Sequence, residues 1–559
     1  MKYIIVGGVA GGATAAARLR RMDEHAEIVL IERGEHISYA NCGLPYYIGD
    51  VITDRSRLLV QTPEGFRGRF NVDVRIHAEV VAIDAEEHVV EVRDMRTGDI
   101  YKEPYSKLIL SPGAEPFRPV LPGSDTAGIF TLRNVNDSDR IKAYLKRVNA
   151  TRAVVVGGGF IGLEMAENLH HAGLNVTIVE LGDQLMAPLD KPMAVIVQQH
   201  VREKGVSLRL KNAVTEFAQS EDGSISVLLQ DGDKLNADVV ILSIGVRPDT
   251  RLAKAAGLSI GKAGGIIINE YLQTSHPDIY AVGDAVEFAN PVTGRSMCTY
   301  LAGPANKQAR ICADNIVLGN KHVYNGSVNT AIVRVFDLTV ATTGVAFKHL
   351  SAAGMPHIVS ATHSGSHAGY YPGAQDMTIQ LAFSPESGRI LGAQIVGHEG
   401  VDKRIDVISA LLQHSGTVHD LVAYEHAYAP PYSSAKDPVN IAGAVAENII
   451  AGRHRIVHVN DIMDDENIII IDVRTPEEYA AGSIPGAVNI PIDDLRTSIA
   501  QIPAQGRVVV FCHVGQRGYL AQRILLQHGY ENVFNLSGGY KLWQSYHKEN
   551  VRINSVKTI

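Results

Sequence analysis

The feature that most constrains this chain is a short pattern that occurs twice. Lys2–Val6 reads as an apolar strand, Gly7-Gly8-Val9-Ala10-Gly11-Gly12 as a glycine turn and Ala13–Met22 as a helix; Ile28–Ile31 is a second strand, closed by Glu32. Ala153–Val156, then Gly157-Gly158-Gly159-Phe160-Ile161-Gly162, a helix through His171, and a strand Val176–Val179 closed by Glu180 repeat the pattern. Glycine at such a turn lets the backbone approach a pyrophosphate. The phosphates then sit on a helix N-terminus with free N–H groups. The acidic residue closing the second strand binds a ribose hydroxyl pair. Glu32 lies 20 residues past Gly12 and Glu180 lies 18 past Gly162. The second fingerprint is complete, whereas the first has Val9 where the middle glycine belongs. A single turn of this kind also fits a plain strand–helix corner. Two with matching acidic ends argue for two dinucleotide-binding units.

The rest of the chain needs further domains, because 559 residues exceed one core. The fold class expected is α/β: two Rossmann-like dinucleotide-binding domains, a separate α+β domain and a C-terminal α/β unit. The boundaries expected are 1–150 and 245–324 for the two parts of the first nucleotide domain and 151–244 for the second. The α+β domain takes 325–446, a linker 447–460 and the last unit 461–559. A net charge of −8 gives no global reason to expect nucleic acid or an anionic membrane. No apolar run approaches the ~18 residues of a transmembrane helix. The start, Met1-Lys2 leading straight into a strand, lacks a signal-peptide pattern, so a cytoplasmic protein is expected. The four cysteines (Cys42, Cys298, Cys312, Cys512) include no CxxC pair, and no metal site is expected. His363 and His367 have metal-like spacing, but Gly365 and the serines read as a loop.

In this order the pieces resemble the flavoprotein disulfide reductases, whose first unit binds FAD and whose second binds NADH or NADPH. Tyr105–Gly113, Gly245-Val246-Arg247-Pro248, Tyr280-Ala281-Val282-Gly283-Asp284 and Leu301-Ala302-Gly303-Pro304 carry the resemblance further. It places Gly7, Gly8, Ala10, Gly11, Gly12, Glu32, Arg33, Val80, Ser111, Pro112, Gly113, Gly245, Asp284, Leu301 and Ala302 around FAD. It places Gly157, Gly159, Phe160, Ile161, Gly162, Glu164 and Glu180 around the nicotinamide nucleotide. Glu180 favours NADH, because a carboxylate repels a 2′-phosphate.

Ser38-Tyr39-Ala40-Asn41-Cys42-Gly43 follows Glu32 closely. A lone cysteine is more often buried and inert, but this loop lies within reach of the flavin. No second cysteine lies nearby, so the chemistry must run through one protein sulfur. The Ser-x-x-x-Cys spacing resembles coenzyme A-disulfide reductases and their rhodanese-fused relatives, with coenzyme A thiol, persulfide or polysulfide as partner. That resemblance places substrate near Thr14, Arg18, Arg21, Ser38 and Asn41. Arg18, Arg21, Arg67 and Arg69 together would make a cationic groove for the coenzyme A phosphates. Taken singly, each reads as well as a solvated face. Tyr428, in Tyr-Ala-Pro-Pro-Tyr, and Tyr370 match tyrosines that act on the partner subunit's site, which implies a homodimer. There a tyrosine hydroxyl protonates the leaving thiolate, with Lys436 as a phosphate contact.

Near the C-terminus, Cys512-His513-Val514-Gly515-Gln516-Arg517-Gly518 follows a strand and opens a helix. Such a loop rings the sulfur with backbone N–H groups, and Arg517 adds positive charge. The segment resembles a rhodanese active site, supported by Ile471-Asp472-Val473-Arg474, with Ser483 where the family often has histidine. Two alternatives remain open: an NADH oxidase or peroxidase cycling Cys42 through sulfenic acid, and a non-catalytic sulfur carrier or redox sensor.

Overall fold

The computed structural model describes residues 1–463 and 468–555. The chain forms two compact units, Met1–Leu181 with Gly205–Asn329 and Gly182–Lys204 with Thr330–Ile559.

The first unit holds two five-stranded parallel sheets. One has the order Ile279–Ala281, Lys107–Leu110, Lys2–Val6, Glu27–Ile31, Asp73–Arg75. The other has Ser207–Leu210, Asn175–Glu180, Arg152–Val156, Val239–Leu242, Ile129–Phe130. Parallel strands are covered on both faces, so they read as continuous apolar runs rather than alternations. The first strands of the two sheets share one burial pattern, with three buried residues between two partly buried ends. Registers also correspond: Val6 pairs with Ile31 and Val156 with Val179. In both sheets the strand ends on a glycine with positive φ, Gly7 at 94° and Gly157 at 104°, a conformation that other residues adopt only with strain.

The first helix starts at Ala10 rather than at Ala13, so Gly11 and Gly12 lie in its first turn. Tertiary packing outweighs their poor helix propensity. A side chain on Gly12 would lie 1.8 Å from the Gly7 carbonyl oxygen, and one on Gly162 would lie 2.0 Å from that of Gly157. Only glycine lets each helix close onto its strand.

The second unit combines an antiparallel and a parallel sheet. The antiparallel order is Ala331–Val335, Leu338–Gly344, Ile390–Gly397, Asp376–Phe383, Ile358–Gly365. Helices Val401–Gln413, Pro438–Ile450 and Lys191–Glu203 pack on it. His363 therefore lies in an edge strand rather than in a loop. The parallel order is Ile456–Val457, Val533–Leu536, Arg507–Phe511, Ile468–Asp472, Val488–Asn489. Segment 447–460, read from sequence as a linker, is mostly structured. A helix runs on through Ile450, and Ile456–Val457 pairs with Asn535 and Leu536 as an edge strand. Its Gly and His residues hid both elements. Segment 182–204 also departs from the expected boundaries. It packs in the second unit, where the Asp190 carboxylate accepts from the Phe347 and Lys348 backbone N–H groups at 2.8 and 3.0 Å.

One buried ion pair organises the antiparallel half. Arg404, 1% exposed, donates to Asp437 at 2.8 Å, to the Ser366 carbonyl at 2.9 Å and to the Gly400 carbonyl at 3.1 Å. Removing one partner strands the other charge in the core. Arg404→Met should therefore cost about 3–5 kcal/mol of unfolding free energy, read by urea titration of the full-length protein. Wild-type stability in that variant would show that the pair is not structural.

Candidate active site

The first glycine turn borders a cavity of about 640 Å³, within the ~300–1,000 Å³ of small-molecule sites. Gly7, Ala10, Gly11, Glu32, Arg33, Val80, Ser111, Pro112, Gly113, Asp284 and Ala302 line it, and so do Asn41 and Cys42. Gly8, Gly12, Leu301 and Gly245 are not among the lining residues. Gly8 donates its N–H to Glu32 at 2.8 Å, Gly12 supports the turn, and Leu301 caps the helix Ala302–Leu318. The Gly245 carbonyl accepts from the Phe117 N–H at 2.9 Å. Glu32 also accepts from the Gly34 N–H at 2.7 Å, so its own turn fixes both carboxylate oxygens. In the second unit of the pattern, Glu180 accepts from the Gly158 N–H at 2.7 Å. Gly159 is the N-cap of the helix carrying Phe160 and Ile161, and a side chain there would meet no protein atom within 4 Å. Sequence reasoning missed Arg133, which lines the cavity and donates to the Pro112 carbonyl at 3.1 Å.

Cys42 sits in the short 3-10 turn Asn41–Gly43 that feeds the helix Leu44–Ile48. Its N–H donates to Asn41 Oδ1 at 3.1 Å. The thiol is exposed, yet the protein crowded around it withholds water and raises its pKa. The Glu164 and Asp284 carboxylates push the same way. Both acids are themselves displaced. Burial takes Glu164 up to about 7 against the opposing hydrogen bond from Tyr46, 3.4 Å away, and burial takes Asp284 up to about 6. The fold thus brings Glu164 of the second dinucleotide unit into electrostatic range of the cysteine that follows the first.

The expected substrate residues divide. Ser38 holds a left-handed conformation, φ 44°, and donates its N–H to the Gly8 carbonyl at 2.8 Å. Thr14 donates to Asn306 at 2.6 Å. Arg18 is not available as a free cation, because Asp314 takes its guanidinium at 2.6 and 3.0 Å. That pairing spans 296 residues, beyond the reach of any local pattern. Arg67 spends one donor on the Val74 carbonyl. Arg21 and Arg69 are exposed.

In the second unit, the Tyr370 and Tyr428 hydroxyls lie 2.8 Å apart, with the rings 76% and 47% exposed. The hydrogen bond to Tyr428 raises the Tyr370 phenol's pKa. Arg404 underlies both loops through Ser366 and Asp437. Lys436 is exposed.

Cys512 is buried at the end of Arg507–Phe511. Gly515, at φ 100°, turns its N–H toward the sulfur at 3.1 Å. Arg517 interacts electrostatically with Cys512 and is also held by Glu478 through two bonds of 2.6 and 2.7 Å. The same contact takes the Glu478 carboxyl down to about 2. Thr475 and Glu478 form a capping box at the start of Pro476–Ala480, and the Glu478 side chain also reaches Arg517. Ser483 donates to Asp472 at 2.7 Å. Cys312 is buried and Cys298 half-buried, and burial raises both thiols. Among the described residues no group of three His, Cys, Asp or Glu side chains is placed to hold a metal. No described helix is long and apolar enough to cross a membrane.

Two dinucleotide turns, a single cysteine facing the first cavity and a second cysteine on a parallel-sheet loop define a nucleotide-dependent, sulfur-handling oxidoreductase. The pattern for pyridine nucleotide-disulphide oxidoreductases matches residues 1–305, its dimerisation domain 330–438 and a rhodanese-like domain 457–546. The chain belongs to the pyridine nucleotide-disulphide oxidoreductase family. It is 35% identical over 446 residues to the coenzyme A disulfide reductase of Staphylococcus epidermidis, covering 80% of this chain and all of that one. Reduced Bacillus anthracis CoADR-RHD superposes with a TM-score of 0.96 at 47% identity, over 98% of both chains. A NAD-dependent persulfide reductase from A. fulgidus gives 0.91 at 36% identity, over 97% of this chain and 100% of that one. The water-forming NADH oxidase from Lactobacillus brevis gives 0.77 at 26%, over 81% and 99%. The protein is thus an FAD- and NAD(P)H-dependent oxidoreductase. Its first cavity fits the flavin nucleotide: a glycine turn under a helix N-terminus, a fixed Glu32 and a half-buried Asp284.

The Glu164 carboxylate disfavours negative charge on Cys42, so Glu164→Gln should lower the pH midpoint of Cys42 alkylation. The shift should be partial, because burial is the larger cause. An unmoved midpoint in the FAD-loaded variant would remove Glu164 from this account.

Proposed function

We propose that the protein reduces coenzyme A disulfide and coenzyme A persulfide through Cys42, at the expense of NAD(P)H, and that Cys512 handles the sulfane sulfur. The observation that carries this reading is a single sulfur at the edge of the first cavity, with no described cysteine placed to pair with it. An external thiol must then complete any disulfide. The coenzyme A disulfide and persulfide reductases among its relatives supply the substrate class.

The chain's own residues divide the work. The first-turn N–H groups beyond Gly7 and Gly157 hold pyrophosphates, while Glu32 and Glu180 orient the ribose ends. Glu180 repels a 2′-phosphate, so NADH is the preferred donor. The Cys42 thiolate attacks one sulfur of the substrate disulfide. A Cys42–coenzyme A bond forms, the original S–S bond breaks, and the leaving thiolate takes its proton from Tyr428, which Tyr370 holds in place. The homodimer brings the tyrosine pair of one protomer to Cys42 of the other. FAD supplies the two-electron relay between nicotinamide and sulfur. For the disulfide, NADH and one proton yield NAD⁺ and two coenzyme A thiols. For the persulfide, they yield NAD⁺, one thiol and hydrogen sulfide. A Cys512 persulfide hands its terminal sulfur to a coenzyme A thiolate, leaving a Cys512 thiolate. The four free cysteines suit a reducing cytoplasm.

The test is NADH oxidation with coenzyme A disulfide, coenzyme A persulfide or oxygen as acceptor. Cys42→Ser should lower both coenzyme A-dependent rates by ~100-fold or more. Cys512→Ser should leave disulfide reduction within about twofold, as a separate site. Full disulfide reduction by Cys42→Ser would overturn the reading. NADH consumption with oxygen alone, unaffected by either coenzyme A substrate, would favour an oxidase.

A further inference from the structure

The segment 537–541 lies between the loop that carries Cys512 and the dimerisation sheet. On one side lies the sulfur-transfer loop itself. Tyr540 N–H donates to the Cys512 carbonyl at 2.8 Å and Lys541 N–H to the His513 carbonyl at 3.0 Å. A side chain on Gly539 would lie 2.5 Å from the Cys512 carbonyl oxygen and 2.7 Å from that of His513. No slack separates this segment from the loop.

On the other side lies the dimerisation sheet. The Ala361 N–H donates to Ser537 Oγ at 3.0 Å, and Lys541 pairs with Asp376 at 2.7 Å. His363 Nε2 lies 2.9 Å from the Gly538 carbonyl, and its Nδ1 lies 2.9 Å from Thr378 Oγ1. A carbonyl only accepts, so Nε2 carries the hydrogen. Burial holds the ring neutral, with its pKa down at about 4, so Nδ1 accepts from Thr378. Strand Asp376–Phe383 thus fixes the imidazole, the imidazole fixes Gly538, and Gly539 presses on Cys512 and His513.

We propose that His363, aided by the Asp376–Lys541 pair, is a positioning residue for the rhodanese-like site: the dimerisation sheet sets the backbone that aims the Gly515 N–H at Cys512 Sγ. The proposal rests on Cys512 being the sulfur-bearing residue. It makes this domain's reactivity depend on a sheet outside it. His363 touches no substrate and acts only through Gly538 and Gly539.

The test uses the full-length flavoprotein. In a Cys42→Ser background, the rate of Cys512 alkylation by iodoacetamide is followed against pH by peptide mass spectrometry. Thiosulfate-to-cyanide sulfur transfer gives kcat and KM. His363→Ala should shift the alkylation midpoint upward and lower kcat by ~10–100-fold, with KM changed less than about threefold. His363→Gln, which keeps an N–H donor for Gly538, should recover most of both. Asp376→Asn should lower kcat by about threefold. With Cys42 intact, coenzyme A disulfide reduction should be unchanged in all three. A wild-type midpoint and kcat in His363→Ala would overturn the proposal. If that variant does not fold, Asp376→Asn decides, since its side chain is 63% exposed; wild-type values there would overturn it equally. The alkylation profile reads loop geometry without turnover. A wild-type protein that transfers no sulfur, with a profile that still shifts in His363→Ala, would sink the sulfur-transfer reading and keep the positioning role.

Discussion

The closure of a helix onto the end of its strand is the contact on which the first unit depends, and it is made twice. Gly12 lies against the Gly7 carbonyl and Gly162 against that of Gly157, with no room for a methyl group. This closure brings the unpaired first-turn N–H groups to the carboxyl edge of a parallel sheet, where a nucleotide binds. It also explains why Val9 is tolerated. The equivalent Gly159 has no neighbour within 4 Å, and both N-caps have negative φ, −98° at Val9 and −79° at Gly159. The outer two glycines of the fingerprint serve the fold, whereas the middle position of the second one is not crowded by protein atoms.

Around Cys42 the same architecture creates an electrostatic conflict. Burial lifts Asp284 to about 6 and Glu164 to about 7. A carboxyl raised in the folded state stabilises the fold only at low pH. That contribution is lost as pH rises from the group's ordinary value through about 6 for Asp284 and about 7 for Glu164. Near neutrality the two acids therefore work against the fold and also oppose a thiolate at Cys42. Strain of this kind collects at sites of chemistry rather than in scaffolds. At Cys512, by contrast, a backbone N–H points at the sulfur at 3.1 Å.

Most of the framework was legible in sequence, because parallel strands and glycine turns are local patterns. The strands Lys2–Val6 and Ile468–Asp472 occupy the residues expected. Long-range partners were not legible. The basic stripe lost Arg18 to Asp314, and Arg517 found Glu478, 39 residues upstream. His363 was read as part of a loop because glycine and serine surround it, yet cross-strand pairing with Thr378 places it in a sheet. Arg20, next to the exposed Arg21, is 6% exposed and ties five backbone carbonyls together. Helical periodicity reports which face a residue lies on, not what awaits it there.

The second unit adds what a sequence of separable domains would not imply. Glu549, fully buried in the last helix, accepts from Arg202 at 2.6 and 2.8 Å and from Gln198 at 2.8 Å. Both donors lie on Lys191–Glu203, the helix that also packs on the dimerisation sheet. A buried ion pair contributes little net stability, but it penalises every arrangement that leaves one charge unpaired. The rhodanese-like domain is therefore seated in one orientation on that helix. Gln199 strengthens the seat by donating to the Ser545 carbonyl at 2.8 Å. The Cys512 loop then takes its place from side chains of the dimerisation half rather than from the length of the chain joining the two. Only residues 451–455 separate helix Pro438–Ile450 from the strand at Ile456, and a chain that short cannot act as a tether.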